Sequence, residues 1–124
     1  MQHFLIVALG GGIGAGLRHL VNLGALRALG PSFPWGTLAV NIFGSLAMGL
    51  LVGVLAARVH ATAELRLFAA TGVLGGFTTF SAFSLDAVTL FERGQAGSAL
   101  AYVAASVILS IAALMLGLAL MRGA

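Results

Sequence analysis

Residues 75–84 read Gly75-Gly76-Phe77-Thr78-Thr79-Phe80-Ser81-Ala82-Phe83-Ser84. Paired glycines weaken a helix, and paired threonines offer hydroxyls that compete for its backbone bonds. In water such a run would read as a loop. Here it sits within a long apolar segment from Leu67 to about Leu90, so the solvent around it decides what it is.

That solvent is lipid. Of 124 residues, 60% are hydrophobic and only 7% charged, against about 45–50% and 25% in globular domains. Six arginines stand against Glu64, Asp86 and Glu92, with no lysine. The arginines are scattered singly and form no patch of the kind that binds nucleic acid. The absence of cysteine excludes disulfides and thiolate metal sites.

A helix crossing about 30 Å of hydrocarbon needs roughly 20 apolar residues. Four segments qualify, at about residues 4–26, 35–57, 67–90 and 96–121, forming a single transmembrane domain. The turn signal Gly30-Pro31-Ser32-Phe33-Pro34 separates the first two. The loops are too short for a soluble domain, so the helices are expected to be antiparallel neighbours. Met1 to Leu17 lacks a basic leader, and its apolar run continues past the length of a signal core, so it reads as mature helix.

At membrane depth the opening stretch reads as an interrupted third helix, because unpaired carbonyls are tolerated there only where protein, ion or water satisfies them. The competing reading is a continuous helix packed through its glycines, with Thr and Ser bonding the preceding turn. In the first helix, Gly10-x-Gly12-x-x-Ala15 mimics the start of a dinucleotide fingerprint. No acidic residue follows about 20 positions later, so the glycines read as close-packing positions, Gly10 with Gly14 and Gly12 with Gly16. Arg18 inside this span either faces a partner or a watery cavity, or snorkels to the interface.

Orientation follows the arginine bias of the loops. With the N-terminus inside, Arg58, Arg66 and Arg122 lie inside, and Arg27 and Arg93 outside, joined by Arg18 if it is counted. So small a bias allows both orientations, and two opposed copies can pair about an axis in the membrane plane. The other outcome is that a single loop charge decides and all copies point one way.

Further polar signals sit within the spans. Asn41 lies mid-way along the second, as a pore amide or as a bond to another helix. Phe80 and Phe83 share a helical face with Ser84; their ring edges can approach an anion, or they can simply fill space. Ser98, Tyr102, Ser106 and Ser110 recur every four residues of the fourth span, either lining an anion path or bonding neighbouring helices.

Together these residues resemble the Fluc (CrcB-type) fluoride channel family over the whole chain. The resemblance rests on the glycine-rich first helix with Arg18, GTLAVNIFG at Gly36 to Gly44, GGFTTFSAFS, and the Tyr102/Ser106/Ser110 track. It implies an all-α, dual-topology antiparallel homodimer with two fluoride pores. It also implies a structural sodium ion on the twofold axis, held by the carbonyls of Gly75 and Thr78. Asn41, Phe80, Phe83, Tyr102, Ser106 and Ser110 would line the pore, and Arg18 would serve a vestibule or the structure. The implied function is passive, non-enzymatic fluoride export across the cell's inner or plasma membrane. A proton-coupled exporter of the small multidrug-resistance type is the alternative, but it needs an acid in the first helix, and none lies between Met1 and Leu26.

Overall fold

The computed structural model describes residues 1–57 and 62–122, so Arg58 of the loop-charge balance and the C-terminal Ala124 lie outside the described residues. The described chain is helical, and four of its helical runs are long and apolar enough to cross a membrane. α1 spans Gln2–Leu29 and α2 spans Trp35–Ala57. The third run is composite. It comprises α3 (Ala63–Arg66), a π-helical segment (Leu67–Leu74), α4 (Gly75–Phe77) and α5 (Phe80–Glu92). α6 spans Ala96–Arg122.

The starts and stops follow local chemistry. Gly30 ends α1 at φ 81°, a left-handed conformation that costs glycine little. Pro34 stands immediately before α2, where a missing amide hydrogen is harmless. The Thr62 side chain caps α3 by accepting from the Leu65 amide at 3.1 Å. Gly94, at φ 79°, turns the chain from α5 towards α6.

α1 packs chiefly on the first half of the third run, and α2 chiefly on α6. Both contacts depend on backbone meeting backbone. A Cβ on Gly14 would collide with the Val73 carbonyl, and one on Gly76 with the Gly11 carbonyl. Such approach lets helices gain dispersion energy where lipid provides no hydrophobic drive. The close-packing expectation therefore holds within the chain for Gly10 and Gly14, whereas the Cβ positions of Gly12 and Gly16 meet nothing within 4 Å among the described residues.

The π-helical segment was not legible in the sequence. The Gly75 amide reaches back five residues to Ala70, a wide turn that brings Gly72 and Val73 against α1. Gly75 and Gly76 were expected to weaken the helix where they stand, yet both are helical. The extended residues are Thr78 (φ −84°, ψ 160°) and Thr79 (φ −154°, ψ 126°), lying between α4 and α5.

Candidate ion pore

Asn41, mid-way along α2, faces the two extended threonines. Its Nδ2 donates to the Thr79 carbonyl at 3.0 Å, and its Oδ1 accepts from the Thr79 amide at 2.8 Å. A side-chain amide thereby replaces the backbone partners that Thr79 gives up on leaving the helix. One Nδ2 hydrogen remains beyond that pair. Thr79 also caps α5, its hydroxyl accepting from the Ala82 amide at 3.1 Å. Thr78 turns its hydroxyl back to the Leu74 carbonyl at 3.0 Å, with its methyl against Gly44 of α2, where a Cβ would collide with it.

These bonds bear on Gly75 and Thr78. In a continuous helix the Thr79 amide would serve the Gly75 carbonyl, and the Ala82 amide the Thr78 carbonyl. The first is diverted to Asn41 and the second to the Thr79 hydroxyl. Both carbonyls are thus deprived of their usual donors, which suits an oxygen-seeking hard cation. Among the described residues, no cluster of three or more His, Asp or Glu side chains offers another metal site.

A groove of about 390 Å³ opens beside this junction, lined by Asn41, Ser45, Thr78, Thr79, Phe80, Phe83, Ser106 and Ser110, with no acidic side chain. Phe80 and Phe83 stand with ring centroids 5.3 Å apart at 52°. Their surroundings differ sharply, since Phe80 is 77% exposed in the single chain and Phe83 only 9%. The hydroxyl oxygens of Ser106 and Ser110 are buried and have no hydrogen-bond partner among the described residues. Native interiors rarely leave such groups unpaired.

Tyr102 belongs to this track but stands behind the groove. It is fully buried, its ring 5.3 Å from that of Phe83, and its hydroxyl donates to Asp86 Oδ2 at 3.2 Å. Ser98, the fourth member of the expected stripe, is exposed in the first turn of α6 and lines neither this groove nor a second cavity, of about 380 Å³, that Phe33 and Asp86 help to line. Arg18 is half-buried with its Nε unpartnered, and it too lines neither space.

Sequence reasoning gave Asp86 no role. Its place three residues after Phe83 puts the two on one helix face, which was the available signal. Phe33 was seen only as part of a turn, and its contact with Tyr102 had no sequence signal.

Residues 5–118 match the family described as "CrcB-like protein, Camphor Resistance (CrcB)". The chain belongs to this CrcB-like family. It is 61% identical over 122 residues to a protein of Mesorhizobium japonicum, covering 98% of each chain. A relative from Chelativorans sp. is 62% identical and one from Agrobacterium fabrum 58%, with the same coverage. Each of the three is named "Fluoride-specific ion channel FluC". The CrcB-like chain is accordingly a multi-pass membrane protein of an ion-channel family, not an enzyme.

Proposed function

We propose that this chain forms a fluoride-selective passive channel, working as a dual-topology antiparallel homodimer with two pores that release fluoride from the cytoplasm across the inner membrane. The observation that carries the reading is the pair of buried, unpartnered hydroxyls, Ser106 and Ser110, aligned in one groove with Asn41 and the Phe80–Phe83 rings. Fluoride is small, strongly hydrated and a strong hydrogen-bond acceptor. Hydroxyl and amide donors can replace its water, while ring edges present positive quadrupole without a fixed charge that would trap the ion. The relatives' names agree with this anion.

The dimer completes the groove. Open to lipid, the exposed Thr79–Ser81 hydroxyl pair would cost several kcal/mol, the order of magnitude known for polar groups in hydrocarbon. A second copy would cover them, and would bring its own Gly75 and Thr78 carbonyls to the first set. Four such oxygens would hold a structural sodium ion, supplying a fixed positive charge that neutralises their dipoles. The chain's own share would be to leave those carbonyls without their helical donors, a reading supported by the Thr79 amide bonding Asn41 and the Ala82 amide bonding the Thr79 hydroxyl.

The test is fluoride efflux from liposomes containing the purified protein. Rapid, electrically driven fluoride loss with little chloride loss supports the proposal, and efflux no faster than from protein-free liposomes overturns it.

A further inference from the structure

Five aromatic rings form one unbroken series from the α1–α2 turn to the groove. Trp35 lies 4.7 Å from Phe33, and Phe33 meets Tyr102 edge to face at 5.5 Å and 90°. Tyr102 lies 5.3 Å from Phe83, which lies 5.3 Å from Phe80. The series passes between two spaces. Beyond Tyr102 lies a second cavity of about 380 Å³, lined among others by Asn22, Phe33, Thr37, Asp86 and Arg93. Phe83 faces the groove, Phe33 faces this outer cavity, and Tyr102 is buried between the two rings.

We propose that Phe33 is a selectivity-determining residue of the channel, holding the Tyr102 ring as a partition between the groove and the outer cavity. The inference rests on the fluoride-channel reading above. Tyr102 touches Phe33, which lines one space, and Phe83, which lines the other, so the proposed path between them runs past its ring. One face of that ring is backed by Phe83, and its hydroxyl is tied to Asp86. The remaining freedom is set by Phe33. Its turn is stiff, with prolines at positions 31 and 34 fixing φ on either side and the Phe33 carbonyl accepting from the Trp35 amide at 2.8 Å. A small anion needs little ring displacement, whereas a larger halide needs the space that Phe33 fills. Discrimination by size is then a matter of how far Phe33 yields.

The experiment compares chloride and fluoride efflux from liposomes holding the full-length wild type, Phe33→Tyr, Phe33→Leu and Phe33→Ala, per folded protein. Phe33→Ala raises the chloride-to-fluoride ratio by about tenfold, the scale on which a pocket discriminates by small differences in volume. Phe33→Leu raises it less, and Phe33→Tyr leaves it near wild type. If Phe33 merely packs the turn, the alanine variant loses thermal stability but keeps the wild-type ratio, which overturns the inference. Should Phe33→Ala fail to assemble, Phe33→Leu decides, and an unchanged ratio there is equally fatal. A wild type that passes no fluoride overturns the channel reading itself, whereas a fluoride-selective wild type with an unaltered Phe33→Ala ratio removes only the role of Phe33.

Discussion

Asn41 and Thr79 exchange two hydrogen bonds, 3.0 Å from the side-chain amide to the carbonyl and 2.8 Å from the backbone amide to the side-chain oxygen. This pair joins two sites that would otherwise be separate. The Asn41 side chain lines the groove, while the amide it captures is the one the Gly75 carbonyl would use in a helix. The proposed ion path and the proposed cation site would therefore share one residue.

Conduction should accordingly need sodium. Replacing all sodium by a large organic cation, with prolonged exchange, is expected to abolish fluoride efflux without any sodium flux having been present before. In Asn41→Ala the Thr79 amide is freed to return to Gly75, so the sodium concentration for half-maximal efflux should rise. Full activity after complete exchange would exclude a structural sodium ion.

Ser106→Ala and Ser110→Ala separate pore chemistry from packing. Each removes a buried hydroxyl that has no partner among the described residues, so stability should hold or improve by about 1 kcal/mol. Fluoride efflux should nevertheless fall about tenfold or more, since a hydrogen bond to a charged group contributes about 1.5–3 kcal/mol. Thermal denaturation and efflux on the same preparations give both numbers. Lower stability with unchanged efflux would make these serines interhelical bonds.

The two phenylalanines should part company in stability but not in flux. Phe83→Ile breaks the stack on Tyr102 and is expected to cost about 1–2 kcal/mol. Phe80→Ile, at a far more exposed position, should cost less. Efflux per folded protein should drop steeply in both, because isoleucine has no quadrupole to offer. Wild-type efflux in both variants would remove the rings from the ion path.

Dual topology is checked by unbalancing the charges. Two lysines added after Arg122 should drive that end to the cytoplasmic side. Fluoride resistance of cells should then be lost, and regained when a copy biased the other way is expressed alongside. Undiminished resistance from the single-orientation protein would exclude an antiparallel dimer.

The four apolar spans were legible because hydrocarbon imposes a length and forbids charge, and both constraints act on composition alone. Asn41 and the serines stood out for the same reason, as polar groups where lipid tolerates few. What stayed hidden depends on which surfaces meet. Gly10 and Gly14 face the π-helical segment while Gly12 and Gly16 face outward, a difference of helix rotation that a row of glycines cannot reveal. Ser98 fits the four-residue period of Tyr102 and its serines, but it is exposed, and its neighbour Ala99 takes the buried position. The contact of Phe33 with Tyr102 joins residues 69 positions apart, and no local pattern records it.

The pairing of α1 with the third run, and of α2 with α6, also dictates an order of assembly. Every early span has its main partner later in the chain. When only α1 and α2 have left the ribosome, Gly14 still lacks Val73, and Gly49 still lacks the Leu114 backbone it will lie against. The newborn hairpin, joined where Gly36 lies against Asn22, therefore rests in lipid with the Gly14 and Gly49 faces uncovered. Its two halves are fixed one after the other, α1 as the stretch through Gly76 arrives and α2 only once Gly117 is in the membrane.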